Sequence, residues 1–236
     1  MTTRDDPRTG LDHLIVGCAD LAAGVQFFEQ RLGQPLSPGG SHSGAGTRNA
    51  LAGLGAGAYF ELLAPDPDQA DTPASLALSE LNEPTLLHWA ARCPAMQTLR
   101  AGASALGLDL PLLQPGRRAL ADGDTLRWTM QFLAPSEVDR AYPFFIDWQD
   151  SIPPGRRLPE GMALTDFTVS SPAATTVNAL LVAADARPDV RMAPSAGLTA
   201  TLQHGERSLT LTSSSLFPTG LHGLWRQPAT TPLEHT

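Results

Sequence analysis

Apolar and polar residues along this chain follow one order of spacings that occurs twice and, more faintly, a third time. The first copy opens with "LDHLIVGC", residues 11–18, an apolar run of strand length. Asp20 then stands as an N-cap ahead of Leu21, Val25, Phe28 and Leu32, which recur at helical spacing until Gly33 stops them. Three strand candidates follow, "QPLSPG", "NALAGLG" and "AYFELLAP", the last two joined through "GAG", a tight hairpin signal. The second copy keeps the order: the strand "LLHWAARC", Pro94 opening a helix with Met96, Leu99, Ala103 and Leu106 on one face, Gly107 as its stop, and then "LPLLQPG", "TLRWTMQFL" and "YPFFIDW". Each copy predicts a βαβββ unit. After the proline- and arginine-rich "SIPPGRRLPEG", which reads as a linker, a weaker third copy runs through "LTDFTVSS", "PAATTVNALLVAA", "GLTATLQ" and "SLTLTSS" around the turn "HGER".

The expected fold class is α+β, with βαβββ modules over 10–68 and 84–150, a linker at 151–160, a degenerate third module at 161–216 and a tail at 217–236. Equivalent positions support the duplication. His13 and His88 stand 75 residues apart, and Pro38-Gly39 and Pro115-Gly116 stand 77 apart. Asp166 occupies the histidine position in the third copy, and near Thr210 that copy is uncharged where the first has Glu61. In an alternating strand His13 shares a face with Leu11 and Ile15, and Glu61 with Tyr59 and Leu63. A single histidine on an apolar face is ordinarily a core residue, so it is the repetition at one position that gives His13 and His88 weight. An acid between Phe60 and Leu62 is costly to bury without a partner, which singles out Glu61.

Composition narrows the function classes. The chain has 236 residues, 42% of them hydrophobic and 17% charged, with a formal net charge of −8 spread along its length, so a globular protein with a sizeable core is expected and nucleic acid is not a partner. The start "MTTRDDPRTG" has no signal-peptide pattern and no apolar run is long enough to span a bilayer, which predicts a cytoplasmic protein. Cys18 and Cys93 sit in strand-like segments and read as packing. No GxSxG, CxxC or HExxH pattern occurs, so covalent catalysis is not expected.

Tandem βαβββ units with a histidine in the first strand and a carboxylate in the fourth resemble the vicinal oxygen chelate superfamily of glyoxalase I, extradiol dioxygenases and bleomycin-binding proteins. The stretch from "LDHLIVGCADLAAG" to "AYFELLAPDP" is similar, more narrowly, to glyoxalase-like domain proteins. The resemblance implies mixed sheets curled into a cup, with modules pairing within one chain or across a homodimer. It implies a divalent metal (Fe, Mn, Zn or Ni) held by His13, Glu61, His88 and Asp147, with Glu61 also serving as base. Asp147 lies 86 residues after Glu61, so the register is loose and Ile146 is an equal candidate for that position.

The glycine-rich "PGGSHSGAGTRNA" reads as a loop, which the resemblance implies borders the cleft, or equally as a polar-tipped hairpin. On the first reading His42 is a proton carrier and Thr47 and Asn49 touch substrate. In the comparable second loop Arg117 and Arg118 are candidates to hold a carboxylate or phosphate, and Trp89, Trp128 and Trp148 to line an apolar cavity. The implied function is a metal-dependent lyase, isomerase or dioxygenase acting on a small oxygen-rich molecule. A metal-free binding or sequestering protein on the same cup, and an assembly module with a filled cup, are the alternatives.

Overall fold

Strand β1, Leu11–Gly17, is buried along its whole length, as an apolar run flanked by chain on both sides must be. The computed structural model describes residues 10–111, 113–120, 123–134, 138–159, 161–186, 189–222 and 224, so the N-terminal stretch and most of the expected tail lie outside the described residues. Helix α1, Leu21–Leu32, begins where Asp20 accepts the Ala23 N–H at 2.8 Å and ends at Gly33, whose φ of 71° is left-handed. Asp20→Ala removes that acceptor from an exposed helix end and is expected to destabilise the protein by about 1 kcal/mol, read as a melting temperature lowered by about 3 °C.

The first module continues through β2 (Ser37–His42), β3 (Thr47–Gly55) and β4 (Ala58–Pro65). The "GAG" signal is the β3–β4 turn, with φ of 79°, 51° and 79° at Gly55, Ala56 and Gly57. Helix α2, Pro73–Ser79, lies between the modules and is held by a reciprocal Thr72–Ser75 capping box. The second module comprises β5 (Thr85–Arg92), α3 (Met96–Ala105), β6 (Gln114–Ala119), β7 (Thr125–Gln131) and β8 (Phe144–Asp147).

Both β2 and β6 start later than their apolar signals and take in the expected loops. In β2 the reason is bonding to later strands and turns: Asn49 Oδ1 accepts the Gly40 N–H at 2.8 Å, and the Ser41 hydroxyl donates to Asp66 Oδ2 at 2.5 Å. The glycine-rich stretch is therefore mostly a hairpin, and Arg117 and Arg118 are strand residues.

The eight strands form one sheet in the order β2-β3-β4-β1-β5-β8-β7-β6. Within each module the first and last strands pair in parallel, and the modules join within the chain through the antiparallel β1–β5 pair. This mixed sheet curls into a cup. One cluster of buried residues lies on the helix side and includes Leu14, Phe28, Phe60, Trp89 and Leu99. A second lies on the concave side and includes Ile15, Tyr59, Met130, Phe144 and Ile146.

The third module, β9 (Ala163–Ser171), α4 (Ala174–Ala183), β10 (Val190–Met192), β11 (Gly197–His204) and β12 (Arg207–Thr212), forms its own sheet, β10-β9-β11-β12. Its apolar residues join the helix-side core, with Phe167 edge-on to Trp89 at 5.5 Å. Asp166, at the histidine position, is exposed and accepts from the Thr168 hydroxyl. The "HGER" turn caps a helix of the first module. There His204 Nδ1 donates to the Leu32 carbonyl at 2.9 Å and Arg207 to the Gln30 carbonyl at 3.3 Å, satisfying the C-terminal end of α1.

The stretches either side of this module are docked. Pro154 is buried in a 3-10 turn, Pro154–Arg156, while Phe217 and Leu221 belong to the concave core.

Candidate active site

The concave face encloses a cavity of about 760 Å³ with two unlike walls. The first module supplies His13, Ser41, His42, Asn49 and Glu61; the second supplies Leu126, Trp128, Met130, Phe132, Ile146 and Trp148, and Leu221 from the C-terminal segment closes that side. Alternation accounts for most of this: Ile15 joins His13 at the cavity, and Tyr59 and Leu63 join Glu61, as the shared strand faces require.

At the polar wall three side chains converge on Glu61. Asn49 Nδ2 donates to Glu61 Oε1 at 2.6 Å, His13 Nε2 lies 3.5 Å from Oε2, and His42 Nε2 lies 3.6 Å from Oε1. Because the Asn49 carbonyl oxygen is taken by the Gly40 N–H, its amide must present NH₂ to Glu61. The same NH₂ lies 3.2 Å from His42 Nε2, which therefore accepts, leaving Nδ1–H to donate to the Thr47 hydroxyl at 3.0 Å. A neutral His42 suits this pattern. Burial holds its pKa below the ordinary histidine value; the Glu61 carboxylate opposes the shift, and Arg118 and His13 add to it. Thr47 is fully buried behind His42 and does not line the cavity.

The other side of His13 holds a residue that alternation does not find. Asp12 Oδ1 accepts from His13 Nδ1 at 2.8 Å, and its Oδ2 takes the Trp148 indole N–H at 2.9 Å and Arg92 Nε at 3.3 Å. Strict alternation turns neighbours in a strand to opposite faces. Here, however, the β1–β5 register slips between Leu11 and His13, so Asp12 is the extra residue of a bulge and its carboxylate can reach the neighbouring imidazole. The sequence did carry a signal, since Asp12 is an acid in an apolar strand, the same reasoning that singled out Glu61. With Nδ1–H committed to a fully buried carboxylate, His13 turns Nε2 toward Glu61. The imidazole also stacks on Tyr59, with ring centroids 4.5 Å apart.

Of the four expected metal ligands His13 and Glu61 come together, and His88 and Asp147 do not join them. His88 is on the concave side, but Phe144 stands between it and His13, its ring centroid 5.4 Å from one imidazole and 5.7 Å from the other. The C-terminal segment covers His88: a side chain at Gly220 would meet His88 Nδ1 at 2.1 Å, and His222 packs edge-on at 4.6 Å. Among the described residues neither ring nitrogen of His88 has a hydrogen-bond partner. Burial first, then His222, His13 and Arg140, hold its pKa well below the ordinary value.

Asp147 points out of the cavity and accepts the Gln149 N–H, while Ile146 occupies the cavity position. Among the described residues no three His, Cys, Asp or Glu side chains are grouped so as to hold a metal ion. The donor set therefore does not fit the metal centre that the resemblance implies.

The remaining candidates divide. Trp128 and Trp148 line the cavity with ring centroids 5.6 Å apart, whereas Trp89 is core, its N–H donated to the Ala141 carbonyl. Arg118 reaches the cavity from β6. Cys18 and Cys93 are buried free thiols, pushed up by desolvation to about 12 and about 11, as packing residues are. No helix among the described residues is long and apolar enough to cross a membrane.

Two βαβββ modules sharing one curled sheet, with a histidine and a glutamate on its concave face, define a protein of the vicinal oxygen chelate class. A family model described as a glyoxalase-like domain matches residues 11–184, and the chain belongs to that family. A comparison with curated proteins found no match. Among solved structures, a hypothetical protein from Staphylococcus aureus shares the fold at a TM-score of 0.58 and 16% identity, over 89% of this chain and 88% of that one. Methylmalonyl-CoA epimerase from Mycobacterium tuberculosis aligns at 0.41 and 21% identity, over 61% of this chain and 90% of the other. A hypothetical protein from Bacillus halodurans aligns at 0.42 and 19% identity, over 58% and 90%.

Proposed function

We propose that this protein is an enzyme of the isomerase or lyase type that moves a proton on a small carbonyl or carboxyl compound without a resident metal. The Asp12–His13–Glu61 series opening on the cavity carries this reading. Isomerisation and elimination need a base, an acid and a group to stabilise negative charge, and the polar wall together with Arg118 from β6 offers all three. Glu61 takes the proton from a carbon next to the carbonyl. His13 Nε2 accepts it from Glu61 or returns it, and the Asp12 carboxylate stabilises the imidazolium that forms meanwhile. Asn49 holds Glu61 in place, and Arg118 faces the charge that develops on the substrate oxygen.

Hydrogen exchange into carbon acids tests the reading. In D₂O, with 2-oxo acids and β-keto acids as probes, the wild-type protein is expected to catalyse deuterium uptake next to the carbonyl, followed by NMR. No uptake above buffer with any of them would sink it. Asp12→Asn is expected to lower the exchange rate by roughly 10²–10⁴-fold with the fold intact. An amide can keep its oxygen toward Trp148 and Arg92 while its NH₂ faces His13 Nδ1, which forces the proton onto Nε2. Unchanged exchange in this variant would remove Asp12 from the relay.

A metal-free binding protein is the second reading, favoured by the paired Trp128 and Trp148 rings on the apolar wall. It predicts ligand binding with no exchange in any probe.

A further inference from the structure

The two walls of the cavity and Arg118, which lines it together with Arg117 and Arg127, define the kind of molecule that fits, given the acid–base reading above. Arg118 sits on the inward face of the β6–β7 hairpin, opposite Leu126. Its guanidinium lies across the mouth against the first module, with Nη1 3.0 Å from where a Cβ on Gly40 would stand. Gly40 is bonded to Asn49, and Asn49 to Glu61, so the cation lies over the hairpin that holds the proposed base. Among the described residues Arg118 has no carboxylate partner and no hydrogen bond, although the protein carries a net charge of −8. Arginine presents a planar fork that matches a carboxylate at two points.

Across the cavity the wall is aromatic. Trp128 lies over Gly116 so closely that a Cβ there would come within 2.2 Å of the indole, and the Trp148 ring is fixed by its N–H bond to Asp12. The two indoles touch at 54° with centroids 5.6 Å apart and make an aromatic shelf in the same buried cluster as Met130 and Phe132. We infer that the ligand is an arylalkyl carboxylic acid: its carboxylate is held by Arg118, its apolar body lies against Trp128 and Trp148, and the carbon next to its carboxylate faces Glu61. The charge of Arg118 offsets the repulsion between the ligand's carboxylate and Glu61.

Calorimetric titration of the full chain with 1-naphthylacetate, 1-naphthylacetamide and 1-naphthylmethylammonium tests this. The acid is expected to bind about tenfold or more tightly than the amide, and the ammonium compound not to bind. Arg118→Met is expected to remove that advantage and leave the amide unchanged, Arg118→Lys to restore part of it, and Trp128→Ala to weaken acid and amide together. Amide or ammonium binding as tight as the acid, an Arg118→Met variant that keeps the full preference, or no binding of the acid would overturn the inference.

The outcome is separable from that for catalysis. Glu61→Gln is expected to bind the acid at least as well as wild type. Acid binding without proton exchange would leave the ligand class standing and remove the enzyme, whereas exchange on uncharged ketones without acid binding would do the reverse.

Discussion

Glu61→Gln is expected to reduce deuterium exchange, and turnover once a substrate is in hand, by roughly 10²–10⁴-fold while leaving thermal stability close to wild type. The amide keeps the shape of the carboxylate, and its oxygen can still accept the Asn49 N–H that meets Glu61 Oε1 at 2.6 Å. What it loses is the ability to take a proton at the atom facing both the cavity and His13. An electrostatic side effect is readable independently. The Glu61 charge opposes the lowering of the His42 pKa, so the variant is expected to show His42 lowered further in a histidine NMR titration. A variant that folds, shows that His42 shift and still exchanges protons at the wild-type rate would refute Glu61 as base.

The second large effect concerns the segment that closes the cavity. Stability is expected to fall by about 3 kcal/mol or more between neutral pH and pH 4, measured by urea unfolding. His222 is buried, and desolvation pushes its pKa from 6.5 down to about 4, against the pull of its bond to the Tyr142 carbonyl. Between those two values the unfolded chain binds a proton that the folded one refuses, so stability is full above the upper value and drains as pH falls toward the lower one. His88 is shifted in the same direction and adds to the loss.

Replacing His88 with Leu removes two ring nitrogens that have no hydrogen-bond partner, and is expected to leave stability at pH 7 unchanged or raised and to flatten the acid limb. Gly220→Ala acts on the same contact from the other side. With φ at 57° and a Cβ 2.1 Å from His88 Nδ1, it is expected to destabilise by about 2–4 kcal/mol at every pH. A flat stability profile from pH 7 to 4 would show that the segment does not bury His222.

The candidate site was legible to the extent that strand alternation governs it. His13 and Glu61 were found from residue type and strand position, His42 and Asn49 from a glycine-rich loop that the resemblance set beside the cleft, and the fold brings the four together at one wall. Asp12 was missed because a bulge breaks the alternation that would have turned it away. His88 was found for a sound reason, its equivalence to His13, but equivalence says nothing about what lies on top of a residue. Asp147 and Ile146 were left as equal candidates because the register was loose: one position along β8 exchanges the cavity face for the outer one, and Ile146 holds the inner place.

What the sequence determined alone is local in origin. Helical spacing, the Asp20 cap, the Gly33 and Gly107 stops and the "GAG" turn act within a few residues, so the βαβββ order, its duplication and its fading third copy could be read from residue types. Tertiary structure decided the chemistry. Phe144 between the two histidines, the Gly220–His222 cover on His88, Arg118 over Gly40 and Asp12 against Trp148 are contacts between residues far apart in the chain. Each depends on how two sheet halves and a returning segment share the concave face, and side-chain packing of that kind leaves no periodic trace in the sequence.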